Sequence, residues 1–209
     1  EILTHIRHSE KVLVMRVFIA VLVLIFSFQS LSRADKINEL EIEGMSIGDS
    51  LLNFMTEDQI EKELNNKEIT FFYKNNTFAT LSTFLIRDKF TIYDDVGVVI
   101  KPDDNNYKIY ALEGTLFYDN IDIAACHKQQ ELISKDLKKN FLPNGKESVW
   151  FGENLSNSLS SAKYIELLKD GFIEGQLRTI CYDQKDKNLS DLLYVVINSK
   201  EFVKFLDNN

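Results

Sequence analysis

Hydrophobic and polar positions alternate through much of the chain after residue 67, as β-strands require. Runs rich in aromatic and β-branched residues predict strands at 68–74, 78–87, 90–100, 107–118 and 191–197. The segment 162–183 predicts a β-hairpin that turns at Asp170-Gly171, a strong hairpin signal. Gly114 lies within a predicted strand and indicates a bulge or a close approach of the backbone to another group.

Helical spacing occurs at four other places. The predicted helices are 50–54, 56–66, 121–141 and 200–206. Thr56 and Gln59 form a capping box, and Ser199 caps the last helix. Between these elements, the polar stretch 142–160 is predicted as a loop containing Trp150. Strands in runs with helices set apart predict an α+β fold, an antiparallel β-meander sheet with helices packed mainly on one face.

The N-terminal part of the chain differs from the remainder. Residues 17–28 are apolar apart from one serine, Arg16 precedes them, and Ser32-Arg33-Ala34 follow. A charged start, a short apolar middle and a small-residue end are typical of a secretory signal peptide, whereas a membrane span needs about 20 apolar residues. We therefore expect 1–14 to be upstream readthrough before an initiator Met15, 15–34 to be a signal peptide, and 35–209 to be a single α+β domain.

The charge of the expected mature domain bears on its partners. Loss of residues 1–34 removes four basic and two acidic residues, which changes the net charge from −8 to −10. A surface this acidic repels nucleic-acid backbones and anionic lipids. We expect no nucleic-acid partner, and membrane association only if the N-terminal segment stays uncleaved. Periplasmic or secreted localisation follows from the signal peptide.

Cys126 and Cys181 are the only two cysteines. In the predicted helix 121–141, Cys126 shares an apolar stripe with Ile133 and Leu137, so it faces the core. Cys181 shares one side of a predicted strand with Leu177. In an oxidising compartment this pattern favours a helix–strand disulfide, and two buried free thiols are the alternative.

The segment Gly48-Asp49-Ser50-Leu51 spells the signature of the GDSL esterases. That family places its base in an Asp-x-x-His block, which this chain lacks, and a serine without a base is a poor nucleophile. Asp49 or Ser50 is better explained as the cap of a short helix. A GDSL-type esterase is therefore disfavoured, and no catalytic residue is assigned.

Other candidate chemistry is equally sparse. Adjacent helical residues point about 100° apart, so Cys126 and His127 do not form a thiol–imidazole pair. The segment 186–197 lacks the glycine and glutamate of a calcium loop. Asp94-Asp95 and Asp103-Asp104 are interpreted as solvated charge. We expect no cofactor and no metal.

Several segments together resemble one family of proteins. These segments are EGMSIGDSLL, YKIYALEGTLFY before a cysteine-bearing helix, ICYD and VVINSKEFVKFL. As a set they are similar to an uncharacterised family of small exported proteins from marine bacteria with AT-rich genomes. The resemblance implies export and a matched Cys126/Cys181 pair, and it implies no activity.

The sequence favours a non-enzymatic exported domain that binds a protein, a peptide or a small ligand. Trp150 is a candidate for a binding loop, although a core tryptophan beneath a loop is the alternative. An exported hydrolase using Ser50 or the acidic residues, and an envelope protein held by an uncleaved N-terminal segment, are the competing hypotheses. The pattern specifies neither a ligand nor an oligomeric state.

Overall fold

The structure is a computed structural model of the 209-residue chain, and it describes residues 36–118, 123–141, 146–153, 159–169, 172–184 and 190–208. The predicted readthrough and signal segments, the Asp170-Gly171 turn and most of the connector 186–191 lie outside these ranges.

Ten strands are described. They are β1 (Glu41–Ile42), β2 (Met45–Ser46), β3 (Phe71–Phe72), β4 (Ala79–Ser82), β5 (Asp95–Ile100), β6 (Ala111–Tyr118), β7 (Lys146–Glu153), β8 (Leu159–Lys169), β9 (Phe172–Asp183) and β10 (Asp191–Ser199). The first two pair as a small hairpin. The other eight form one antiparallel sheet in the order β3-β4-β5-β6-β10-β9-β8-β7. The sheet is thus two four-stranded meanders joined side by side through β6 and β10.

Three α-helices accompany the sheet. They are α1 (Glu57–Leu64), α2 (Ile123–Phe141) and α3 (Lys200–Asp207), and short 3-10 helices occupy Lys36–Glu39, Leu51–Asn53, Lys74–Asn76 and Phe84–Lys89. The capping box predicted at Thr56 and Gln59 is present, and Ser199 accepts a hydrogen bond from the Phe202 backbone as the cap of α3. Helix α2 follows the first meander and precedes the second, so it links the two halves of the sheet.

The principal core covers one face of the sheet. A row of apolar residues crosses five adjacent strands in register: Val98, Leu112, Ile197, Leu177 and Ile165. Each is at most 2% exposed. Ile60 of α1, and Ile133 and Leu137 of α2, are buried in the same core. The α+β fold with helices mainly on one face is therefore confirmed.

Helix α3 packs on the opposite face. Its Phe202 is 2% exposed and belongs to a second, smaller core with Phe78, Val99, Tyr110 and Ala111. Val99 alternates with Val98 and Ile100 of the principal core, so the two cores lie on opposite sides of β5. Among the described α-helices, only α3 packs on this second face. The second core lies at one end of that face.

The predicted helix–strand disulfide is also present. Cys126 of α2 is bonded to Cys181 of β9, with an S–S distance of 2.07 Å, and both residues are fully buried. The bond closes a loop across a sequence separation of 55 residues. It fastens α2 onto the second meander from the principal-core side.

Several predicted boundaries were wrong. The predicted strand 68–74 is reduced to the two-residue edge strand β3, and 78–87 forms β4 followed by a 3-10 helix. The stretch 142–160, predicted as a loop, contains β7, whose Trp150 pairs with Ala162 of β8. Trp150 thus belongs to a strand. Polar composition misled the prediction, because an edge strand need bury only part of its surface.

The close backbone approach predicted at Gly114 is confirmed. Strand β6 keeps continuous register on both sides there, so no bulge is present. A Cβ atom at position 114 would lie 2.5 Å from the buried Tyr93 ring. Only glycine lets this ring lie directly against the strand.

Candidate ligand-binding site

The predicted GDSL-like serine is a structural residue. Ser50 precedes the 3-10 helix Leu51–Asn53, and its Oγ accepts a hydrogen bond from the Leu52 backbone at 3.3 Å. The same hydroxyl donates to the backbone oxygen of Asn106 at 2.6 Å. Asp49 accepts from the Ser46 backbone at 2.9 Å and closes the preceding turn. The hydroxyl proton of Ser50 therefore serves a backbone carbonyl rather than a catalytic base.

Four buried polar residues between α2 and the sheet bond to one another or to the backbone. Gln130 donates to the backbone oxygens of Ser161 and Thr179, both at 2.8 Å, and Ser134 shares a hydrogen bond with the Thr179 hydroxyl at 2.8 Å. All four residues are buried. Because each of these four residues finds its partners within the protein, the four attach the helix to the sheet. The buried Oε1 of Gln129 on the same helix has no hydrogen-bond partner.

The opposite face of the sheet carries a different set of polar residues, which we call the charged face. Strand alternation places Asp95, Glu113, Arg178 and Tyr194 there, because their neighbours Val96, Leu112, Leu177 and Val195 belong to the principal core. All four residues are partly exposed. They come from β5, β6, β9 and β10, the four central strands of the sheet.

Register fixes the arrangement of this face. Val196 of β10 pairs with Glu113 on one side and with Arg178 on the other. Two strand spacings therefore separate the Cα atoms of Glu113 and Arg178, or about 10 Å. On its other side, Glu113 pairs with Gly97 of β5. The two neighbours of Glu113 across the sheet are therefore a glycine, which has no side chain, and the buried Val196. Glu113 and Arg178 thus lie on either side of one short side chain, that of Val196.

Arg178 lacks partners that a half-buried arginine ordinarily has. Its Nε atom is buried without a hydrogen-bond partner. Within the described part of the chain, the ion pairs are Lys101–Glu201, Lys163–Glu131 and Lys200–Glu174, and none involves Arg178. Most buried polar groups are hydrogen-bonded, so an unsatisfied guanidinium nitrogen requires an explanation.

Glu113 is the acidic counterpart of Arg178. Burial raises the pKa of Glu113, the positive charge of Arg178 lowers it, and the negative charge of Asp95 raises it further. Asp95 is held by the hydroxyl of Ser82, 3.3 Å from each carboxylate oxygen. Asp95 was interpreted from sequence as solvated charge. The structure instead places it on the sheet beside a second carboxylate, with a hydroxyl partner.

Tyrosines border these charges. The rings of Tyr194 and Tyr182 pack edge to face with their centroids 5.2 Å apart. Burial raises the pKa of Tyr194, and the charge of Glu113 adds to this effect. Tyr73 shares a 3.1 Å hydrogen bond with Thr80, and burial likewise raises its pKa. Both phenols therefore remain neutral near pH 7, as hydrogen-bonding groups with apolar rings.

The structure separates the residues singled out from the sequence. The disulfide lies on the principal-core side, away from the charged face, and His127 is exposed on α2. The side chain of Trp150 lies outside the described residues. Sequence reasoning missed Glu113 and Arg178. The sequence showed only that each is a charged residue on the outer side of a predicted strand. It did not show that the two strands would lie one strand apart in the same sheet.

Other site classes have no support in the described residues. No cluster of three or more histidine, cysteine or acidic side chains there is arranged to hold a metal ion. No described helix is long and apolar enough to cross a membrane.

Comparison with known proteins gives no relative. No protein-family model, no curated protein sequence and no solved structure matches the chain significantly.

Proposed function

We propose that this protein is an exported, non-enzymatic binding protein whose charged face takes up a peptide or small ligand. The observation that carries the proposal is the half-buried Arg178, whose Nε has no hydrogen-bond partner, across Val196 from the half-buried Glu113. Hydrogen bonds to charged groups contribute about 1.5–3 kcal/mol. Because Arg178 is partly exposed, a ligand anion can bond to the accessible N–H groups of its guanidinium.

Two observations support export. The buried Cys126–Cys181 disulfide is typical of proteins that mature in an oxidising compartment. The apolar segment 17–28 between Arg16 and Ala34 has the pattern of a signal peptide. The proposed location is therefore the periplasm or the extracellular medium.

Export is tested by expressing the chain from Met15 in a Gram-negative host. We expect release of the protein by osmotic shock and a mature N-terminus at Asp35. Recovery of the intact precursor as folded protein from the cytosol, with both thiols reduced, would contradict the proposal. Retention of the uncleaved chain in the membrane fraction would favour the envelope-associated alternative instead.

Ligand binding is tested by a thermal-shift screen of peptides and small metabolites. A ligand at 100 times its Kd stabilises the native state by about 2.7 kcal/mol. For a chain of this size that corresponds to a rise in Tm of roughly 5–10 °C. We expect Arg178→Gln to lose this rise while Arg87→Gln, a change at an arginine outside the charged cluster, retains it. A ligand that stabilises both variants equally binds elsewhere and refutes the assignment of the site.

One observation favours a second candidate function, an exported hydrolase. The pKa of Glu113 is raised by burial beside the carboxylate of Asp95, and two carboxyls in different environments suit general acid–base catalysis. Ser50 offers no support here, because its hydroxyl is bonded to Asn106. Turnover of generic esters, peptides or glycosides that Glu113→Gln abolishes would establish this alternative over simple binding.

A further inference from the structure

Arg178 identifies the anionic half of the ligand. Guanidinium carries five N–H donors in a planar fork that matches a carboxylate in two parallel hydrogen bonds. Arg178 is partly exposed, and it forms no ion pair among the described residues. The face thus presents a positive charge that the protein leaves without a direct ionic partner.

Glu113 identifies the cationic half. No hydrogen bond or ion pair to its carboxylate occurs among the described residues, although Asp95 brings a second negative charge close to it. An ammonium group supplies three donors and a positive charge beside both carboxylates. A phosphate or another dianion attracted by Arg178 would be repelled by these two carboxylates. A simple cation would be repelled by Arg178.

The spacing of Glu113 and Arg178 sets the length of a ligand that contacts both. Glu113 and Arg178 form no salt bridge, and their Cα atoms are about 10 Å apart across Val196. An extended dipeptide spans about 7 Å, and a hydrogen bond of about 2.8 Å at each end brings the total to roughly 12 Å. Two long, flexible side chains accommodate the difference. Gly97 and Val196 add little height to the sheet beside Glu113.

We infer that the charged face binds a short peptide with both termini free, its carboxylate on Arg178 and its ammonium group on Glu113 and Asp95. This inference rests on the proposed function, because it specifies the ligand of the same face. Tyr194 lies two residues from Val196 on the same side of β10, and its ring packs edge to face with that of Tyr182. These rings offer an apolar surface to a peptide side chain. Recognition of both termini makes the site selective for free peptides over segments of longer chains.

The experiment is calorimetric titration of the oxidised, purified protein with alanyl-alanine. The comparison ligands are N-acetyl-alanyl-alanine, alanyl-alanine amide, free alanine and inorganic phosphate. We expect the free dipeptide to bind, and blocking either terminus to weaken it at least tenfold. Phosphate should not compete.

Two variants assign each terminus to its residue. Arg178→Gln should weaken the free dipeptide at least tenfold and abolish the penalty for amidation, while keeping the penalty for acetylation. Glu113→Gln should do the reverse. Arg87→Gln and Glu61→Gln are the control variants, since both residues are exposed and neither belongs to the four residues of the charged face. Arg178→Lys keeps the charge without the fork, and its intermediate affinity provides a second test if Arg178→Gln does not fold.

The outcomes separate this inference from the proposed function. Amide chemical shifts of β6, β9 and β10 report binding to the charged face in all titrations. If free and blocked dipeptides shift them with equal affinity, the face binds peptides but the inference about the termini is wrong. If no peptide shifts them while another compound from the thermal screen does, the peptide inference is overturned and the binding function stands. If no compound does, both are overturned.

Discussion

Replacement of Gly114 by alanine tests how tightly the central strand is packed. A Cβ atom there would lie 2.5 Å from both Cδ1 and Cε1 of Tyr93, and 2.8 Å from Cζ. These distances are far below the 3.5–4.0 Å of an ordinary carbon contact. The clash is therefore with the body of the ring and cannot be relieved at a flexible side-chain end.

The ring has little freedom to move. Tyr93 is only 6% exposed, and its backbone N–H donates to Glu43 Oε1 at 2.8 Å. The adjacent Ile92 N–H donates to the same oxygen at 2.7 Å. Because this carboxylate holds the loop in place, relief of the clash requires movement of the strand or loss of these hydrogen bonds.

Gly97 provides a matched control on the neighbouring strand. A Cβ there would lie 3.6 Å from Glu113 Cβ and 3.6 Å from Thr80 Cγ2, which is ordinary contact. Gly97→Ala should be neutral or stabilise by about 0.4–1 kcal/mol, because alanine lowers the entropy of the unfolded chain. Gly114→Ala gains the same unfolded-state term but incurs an overpacking cost of about 1–3 kcal/mol. The cost of Gly114→Ala should thus exceed that of Gly97→Ala by about 1–3 kcal/mol.

The assay is equilibrium unfolding in urea, with the oxidised protein, at one pH. We expect a lower transition midpoint for Gly114→Ala at an unchanged m-value. Combination with Tyr93→Leu should destabilise less than the sum of the two single changes, because the smaller side chain vacates the space that the new methyl needs. Equal stability of Gly114→Ala and Gly97→Ala, or strict additivity with Tyr93→Leu, would refute this account of the packing.

Three further predictions concern the disulfide, the pH dependence and Ser50. Replacing both Cys126 and Cys181 by alanine should lower the free energy of unfolding by about 4 kcal/mol, because the unfolded chain regains the entropy of a 55-residue loop. Adding reductant to this double variant should leave its urea midpoint unchanged. The pKa of Glu113 is raised in the folded state, so the folded protein binds this proton more tightly than the unfolded chain. The wild type should therefore lose stability relative to Glu113→Gln as pH rises above about 4.5. A constant difference between the two Tm values from pH 4 to 8 would contradict this. Ser50→Ala should cost about 1 kcal/mol in urea unfolding through loss of the cap. If it also abolished an activity of the purified protein, the structural role would be wrong.

Local sequence signals determined the elements that depend on neighbouring residues. The side-chain caps of Thr56 and Ser199 bond to residues three positions away, so neighbouring residues were enough to predict them. Periodicity also placed Cys126 and Cys181 toward the core, and together with the expected oxidising compartment this favoured a bond between them over two free thiols. The apolar stripe of a helix and the alternating apolar positions of a strand both indicate which side of the element is buried.

Tertiary structure alone decided the order of the strands and therefore the candidate site. Strand β10 lies between β6 and β9 in the sheet, although it is far from β6 in sequence. This position places Val196 between Glu113 and Arg178. No local pattern encodes which strand lies beside which, because each strand buries its apolar side equally well next to several neighbours. The sequence therefore specified that Glu113 and Arg178 point outward, and the pairing of the strands set them opposite each other on one face.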